Sequence, residues 1–239
     1  MITSLDNKKV KEYTKLHIKK YRTDSFLLLD EKLVIKANEE GYLKTLIYTG
    51  NKPFDCKDEL EVSQEVLDKI AKQDGLRFIG VSSFIKDKKD YQSRVMILDH
   101  LQDPLNIGRI MESAYIFGFD SIILSEDSAD IYNEKCLKAS KGSIYKLNIY
   151  HSNLLEEINY LKNNGFKVYA TGLRDNTKEL YEISSSDKMA FVLGNEGSGV
   201  TKEVMDIADE IIKIDMHNID SLNVAMAGAI VMYQFSNTQ

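Results

Sequence analysis

The stretch AFVLGNEGSGVTKEVMDIADEIIKIDMHNIDSLNVAMAGAIVMYQF, residues 190–235, decides how this chain is read. Two short apolar runs, residues 189–193 and 211–214, have the length and the β-branched or aromatic content of buried strands, and each empties into turn-forming residues. The first runs into Gly194-Asn195-Glu196-Gly197-Ser198-Gly199 and the second into Met216-His217-Asn218-Ile219-Asp220-Ser221-Leu222-Asn223. Small apolar residues follow from Val224 to Val231 and predict a tightly packed helix whose start is marked by Asp220 or Ser221. Two strand-to-loop exits side by side at one end of a sheet form the crevice where open α/β sheets bind ligands.

Working upstream, the chain alternates apolar and amphipathic segments from Arg94 onwards. Strands are expected at 95–98, 121–124, 167–171, 190–193 and 211–214, and helices near 105–117, 133–140, 153–163, 201–208 and 222–235. This alternation predicts a mostly parallel sheet covered on both faces. The glycine loop at 194–199 fits neither the dinucleotide fingerprint nor a phosphate loop ending in Gly-Lys-Ser/Thr. By itself it is equally an ordinary tight turn or a ligand cradle, and a nucleotide-binding α/β module is one alternative.

A third segment is more specific. Residues 103–118, DPLNIGRIMESAYIFG, join the loop LGNEGSG and the later SLNVA in one order along the chain. Together they resemble the three-motif signature of the SpoU (TrmH-like) RNA ribose 2'-O-methyltransferases of the SPOUT class, over about residues 94–235. The resemblance implies an α/β knot, a deep trefoil with a mostly parallel sheet, an exception to the rule against threaded chains. It implies S-adenosylmethionine as cofactor, RNA as substrate and a homodimer formed through the knotted domain. The apolar last helix, with Tyr233 and Phe235 near its end, is compatible with a partner face.

The same resemblance places the cofactor against Leu193, Gly194, Ile214, Met216 and Leu222, with Thr171 and Gly172 lining the pocket and Asn195, Gly197 and Gly199 shaping the loop. It places Asn106, Glu196, Ser221 and Asn223 at the active site. From local sequence alone each has a plainer role: Asn106 as a helix cap, Asn195 and Glu196 as turn holders, Ser221 as a cap. Where the family carries an arginine in its first motif, this chain has Glu112. A glutamate cannot replace arginine at a phosphate, being anionic and acceptor-only when ionised. Glu112 is then a general base, or Arg109, one turn earlier, supplies the cation alone or paired with Glu112. The remaining alternative is a catalytically silent, dimeric RNA-binding protein of the same fold.

The first 94 residues read differently. Residues 1–22 hold seven Lys and Arg against two acidic residues, a local charge of +5 in a chain whose net charge is −6. Such a run is either a solvated helix face or a phosphate-contacting arm. Residues 26–85 alternate strands (26–29, 43–48, 78–84) with helices (31–40, 64–72), which resembles the family's ribosomal-protein-like substrate-binding domain. The family's Glu-Gly after the first strand is Leu29-Asp30 here. The charged segment 86–93 is expected as a linker, dividing a substrate-binding domain at 1–87 from a methyltransferase domain at 94–239. A separate amino-terminal domain favours ribosomal RNA, 23S in particular, over tRNA. Cys56 and Cys136 are isolated, so no disulfide framework or zinc site is expected. No export signal or membrane-spanning run is visible, and a cytoplasmic location is expected.

Overall fold

The computed structural model describes residues 1–86, 90–216 and 222–236. The chain divides into two compact units, Met1–Lys86 and Asp87–Gln239.

In the first unit the order is α1 (Lys8–Lys15), β1 (Ser25–Leu28), α2 (Glu31–Glu39), β2 (Leu43–Tyr48), β3 (Glu59–Glu61), α3 (Gln64–Ala71) and β4 (Phe78–Ser83). Asn7, Asp30 and Ser63 cap the three helices by accepting hydrogen bonds from first-turn N–H groups. Asp30, where the chain departs from Glu-Gly, therefore has a structural task. The sheet order is β1-β4-β2-β3, with β4 antiparallel to β1 and β2, and β3 parallel to β2. Val10 of α1, Leu16 just after it, and Val66, Leu67 and Ile70 of α3 bury against Leu27, Ile47, Ile79 and Val81. The chain start is tied down by Ile2, whose N–H donates to the Glu61 carbonyl at 2.8 Å.

The second unit runs β5 (Arg94–Leu98), α4 (Pro104–Ile116), β6 (Ser121–Ser125), α5 (Glu134–Ser140), β7 (Asn148–Ser152), α6 (Leu154–Asn163), β8 (Lys167–Thr171), β9 (Lys178–Glu179), β10 (Met189–Leu193), α7 (Lys202–Ile207), β11 (Glu210–Lys213) and α8 (Val224–Gln234). Among the described residues these strands form a parallel seven-stranded sheet, ordered β7-β6-β5-β10-β8-β11-β9. Every residue of β5, β6 and β10 is buried, as expected of central strands covered on both faces. Sequence reasoning missed β3, β7 and β9. The first and last of these are two or three residues long, and β7, at the sheet edge, carries Asn148, His151 and Ser152 among its five residues.

Phe235 does not sit on a partner face. It is buried in the chain's own core, stacked on Phe191 with ring centroids 4.9 Å apart. Its carbonyl accepts a hydrogen bond from Arg94 Nε at 3.1 Å, which fastens the end of α8 to the start of β5. Tyr233, by contrast, is exposed. The connection from β11 to α8 on which a knot depends passes through residues 217–221, outside the described residues. Among the described residues no helix is long and apolar enough to cross a membrane.

Candidate functional site

Parallel strands deliver their loops to one end of a sheet, so the ends of β5, β10, β8 and β11 arrive together. The loop after β10 is possible only with glycine at its root. A Cβ on Gly194 would lie 2.0 Å from the Val200 nitrogen and 2.1 Å from the Gly199 carbonyl carbon, both backbone atoms that cannot swing aside. Gly199 has φ +74°, a left-handed conformation that side chains resist. Asn195 and Gly199 exchange backbone hydrogen bonds of 3.0 and 2.9 Å, and the Asn195 Oδ1 accepts from the N–H groups of Gly197 and Ser198. The loop is thus a closed hairpin that carries Glu196 outward at its tip.

Motif one meets that tip. Asp103, not Asn106, caps α4, accepting from the Leu105 N–H at 2.9 Å, and Pro104 occupies the first helical position, where a missing N–H costs nothing. Released from capping, Asn106 is buried, and its Nδ2 donates to Glu196 Oε1 at 3.1 Å. Its Oδ1 accepts from Asn223 Nδ2 at 3.2 Å. Asn223 is in turn the cap of α8, accepting from the N–H groups of Ala225 and Met226; the expected cap at Asp220 or Ser221 is corrected to this residue. Ser221 itself lies outside the described residues. One residue from each motif therefore meets in a single chain of hydrogen bonds, Asn223 to Asn106 to Glu196.

Glu196 also accepts from the backbone N–H groups of Gln102 and Asp103, at 3.5 and 3.3 Å. Burial works to raise its pKa, but its own backbone N–H, Asn106 and these two donors together outweigh it and hold the carboxyl below its ordinary value. It is an ionised acceptor that pins the two loops together.

His100, which sequence reasoning did not single out, anchors the other side. It adopts φ +56°, a left-handed conformation uncommon for a residue with a Cβ. Its N–H donates to Ser125 Oγ at 2.9 Å, its carbonyl accepts from Asn195 Nδ2 at 2.8 Å, and its ring is bonded to Asp127. Next to it the fully buried Asp99 accepts from the Thr201 N–H at 2.7 Å and its hydroxyl at 2.8 Å. A cleft of about 360 Å³ opens beside Asp99, His100, Asp127 and Thr201. No periodicity signals these contacts; the visible mark is two polar residues directly after the apolar run Val95–Leu98.

The positions expected to hold a cofactor sit at or just after the ends of three neighbouring strands. Leu193 and Gly194 close β10, Thr171 and Gly172 close β8, and Ile214 and Met216 follow β11. Thr171 spends its hydroxyl on the Val192 carbonyl at 3.0 Å, and Gly172 donates its N–H to the Ile212 carbonyl, so both fix the strand ends. Gly172 also lies under Met205, whose Cε would be 2.4 Å from an added Cβ. Ile214 and Leu222 are half-buried and Met216 is exposed, apolar surface that the sheet itself does not consume. Gly197 and Gly199 are exposed on the hairpin. Gly228 lets α8 approach β10 closely, since a Cβ there would meet Leu193 Cδ1 at 2.8 Å. Apolar side chains and glycine-rich backbone at adjoining strand ends fit a nucleoside-bearing cofactor.

Arg109 and Glu112 do not pair. Glu112 is half-buried and bonded to Lys141 at 2.8 Å, at the carboxyl end of α5, whereas Arg109 is exposed and takes no ion-pair partner among the described residues.

Comparison with known proteins gives one consistent result. The model of the SpoU rRNA Methylase family matches residues 93–233. Over 97% of both chains, the protein is 31% identical to the 23S rRNA (guanosine(2553)-2'-O)-methyltransferase RlmP of Bacillus subtilis (strain 168). The structure superposes on an AdoMet-bound rRNA methyltransferase from Sinorhizobium meliloti with a TM-score of 0.87 and 28% identity, covering 98% of this chain and 95% of that one. The AdoMet complex of AviRb from Streptomyces viridochromogenes shares the fold, with a TM-score of 0.83 at 19% identity and coverage of 95% and 96%.

Proposed function

The chain belongs to the SpoU rRNA methylase family, whose members are S-adenosylmethionine-dependent RNA 2'-O-methyltransferases, and from that premise we propose that its substrate is 23S ribosomal RNA. The observation that carries a working enzyme over a silent relative is the hydrogen-bonded junction of Asn223, Asn106 and Glu196. A chain that only bound RNA would have no need to aim a buried asparagine at a carboxylate brought from another motif. Full-length similarity to a 23S enzyme supports ribosomal RNA over tRNA.

Bound S-adenosylmethionine would supply the electrophilic methyl group that a ribose 2'-hydroxyl takes up. The protein contributes position and charge. Leu193, Gly194, Ile214, Met216 and Leu222 would border the cofactor, with Thr171, Gly172 and the hairpin at Asn195, Gly197 and Gly199 fixing the walls. Asn106 and Asn223 hold the ribose side of the site, and Glu196 keeps both motifs in register. Arg109, exposed one turn beyond Asn106 on α4, is the cation for the phosphate of the target nucleotide. Glu112, engaged by Lys141, is structural. Ser221 completes the set as a polar group before α8.

The dimer expected of the family has a surface to form on. Tyr115 and Ile116 of α4 and Met226, Ile230 and Tyr233 of α8 are all exposed on two helices that pack together. Five large apolar side chains on one helix pair form a patch that a second copy would cover. Residues 1–86 are the RNA-binding unit in this reading.

The deciding experiment is calorimetric titration with S-adenosylmethionine followed by transfer of its labelled methyl group to total RNA from an unmodified source, with the product mapped at nucleotide level. Methylated ribose in 23S RNA is the expected result. Label in tRNA, on a base, or nowhere overturns the assignment.

A further inference from the structure

The amino-terminal unit gathers charge that its fold leaves uncompensated. Lys8, Lys9, Lys15, Lys19 and Lys20 are exposed and have no ion-pair partner among the described residues, while Lys11 pairs with Asp6 at 2.9 Å. In a chain of net charge −6 such crowding of like charge opposes the compact state and favours a polyanion. A solvated helix face is the ordinary explanation of a lysine run. What distinguishes this one is the turn that follows it.

Tyr21 ends the one-turn 3₁₀ helix Lys19–Tyr21; it is 41% exposed, and Ile18 just before the turn is 48% exposed. The ammonium groups of Lys15 and Lys20 lie 5.6 and 4.9 Å from the ring centroid. The turn is rigidly supported from within. Arg22 Nε donates to the Leu16 carbonyl at 2.7 Å and another guanidinium nitrogen donates to the His17 carbonyl at 3.0 Å. The His17 ring bonds the Ile70 carbonyl of α3 at 2.8 Å, and Leu16 is buried in the core. The one arginine of the basic segment is thus spent on holding an aromatic ring out among lysines. The two ammonium groups hold the ring by cation–π contact amid concentrated positive charge, the pairing of aromatic face and cations that suits a single-stranded nucleic acid.

We propose that Tyr21 is a stacking platform for an unpaired RNA base, with Lys15, Lys19 and Lys20 taking the phosphates that flank it. Every base has a π-face that can stack on an aromatic ring, and ammonium groups on either side neutralise the backbone without reading sequence. A duplex keeps its bases stacked internally and has no use for the ring. The site therefore selects an unpaired base in a loop or bulge of the substrate RNA. It deepens the reading of the chain as an RNA methyltransferase and rests on it for the identity of the polyanion.

The test is anisotropy of the full-length protein with fluorescein-labelled oligoadenylate and with a blunt RNA duplex of the same length, across a salt series. The wild type should prefer the single strand. Tyr21→Ala should weaken oligoadenylate binding about tenfold, the effect of losing one stacked base, and leave duplex binding unchanged. Tyr21→Phe should restore it. Lys15→Gln with Lys20→Gln should weaken both ligands and flatten the salt dependence on the single strand by about 0.7 per lost phosphate contact. Tyr21→Ala binding like the wild type, or losing single strand and duplex alike, overturns the platform. Methyl transfer and S-adenosylmethionine titration on the same proteins separate the two readings. A wild type that methylates RNA but is indifferent to Tyr21 loses the platform alone, whereas one that neither binds the cofactor nor modifies RNA loses the enzyme assignment, whatever Tyr21 does.

Discussion

Asn106 donates its side-chain amide to Glu196 across ninety residues of sequence, at 3.1 Å, and the two motifs that carry them are locked by that bond. Replacing Asn106 with alanine strips the carboxylate of its side-chain donor and leaves Asn223 Nδ2 without its acceptor. A loss of stability of about 1–2 kcal/mol is expected from the broken bonds, measured by urea denaturation. Methyl transfer should fall at least about a hundredfold, as when a positioned polar group is removed from an active site. A variant of full activity would remove Asn106 from the site.

The acid sensitivity of the fold should carry a contribution from Glu196. Its folded pKa is depressed, so its stabilising effect is fully present above the unfolded value of about 4.3 and is lost as pH falls through the lower folded value. Glu196→Gln should therefore show a flatter stability profile than the wild type below about pH 4. Identical acid limbs would mean that the carboxylate gains nothing from Asn106 and the three backbone donors, its own N–H among them.

Arg109 and Glu112 separate cleanly by mutation. Arg109 is exposed and unpaired among the described residues, so Arg109→Ala should leave the melting temperature and S-adenosylmethionine affinity unchanged while abolishing transfer. Glu112→Gln should cost no more than about 1 kcal/mol, the worth of a partly exposed ion pair with Lys141, and leave the turnover number within a few-fold. The reverse pattern would make Glu112 the reacting group.

Two glycines of one loop should respond oppositely to alanine. Gly194→Ala drives a Cβ into backbone at 2.0 Å and should destabilise by about 2–3 kcal/mol with loss of cofactor binding in calorimetry. Gly197→Ala meets nothing nearer than Asn195 Oδ1 at 3.5 Å and should leave both the melting temperature and the affinity nearly unchanged.

The exposed face of α4 and α8 is checked by Ile230→Glu. If that face joins two copies, light scattering should show the dimer replaced by monomer without loss of secondary structure by circular dichroism. A wild-type monomer, or a dimer indifferent to the charge, would place the interface elsewhere or remove it.

The sequence by itself determined the parallel α/β architecture and its family. Central strands buried on both faces must be continuous apolar runs, so Met189–Leu193 and Val95–Leu98 stand out in the bare sequence, and motif order depends on no geometry at all. It did not determine which polar residue caps which helix. Asp103 and Asn106, or Ser221 and Asn223, are interchangeable as local signals, and only the packing of α4 against α8 turned Asn106 inward to meet Asn223 and Glu196. Nor did it show Phe235 stacked in the core on Phe191, or Glu112 held by Lys141, because both partners come from distant elements. Local composition sets where strands, helices and turns form. The destination of each polar side chain is settled by what the tertiary fold places within about 3 Å of it, since a buried polar group must find its hydrogen-bond partner wherever the chain happens to bring one.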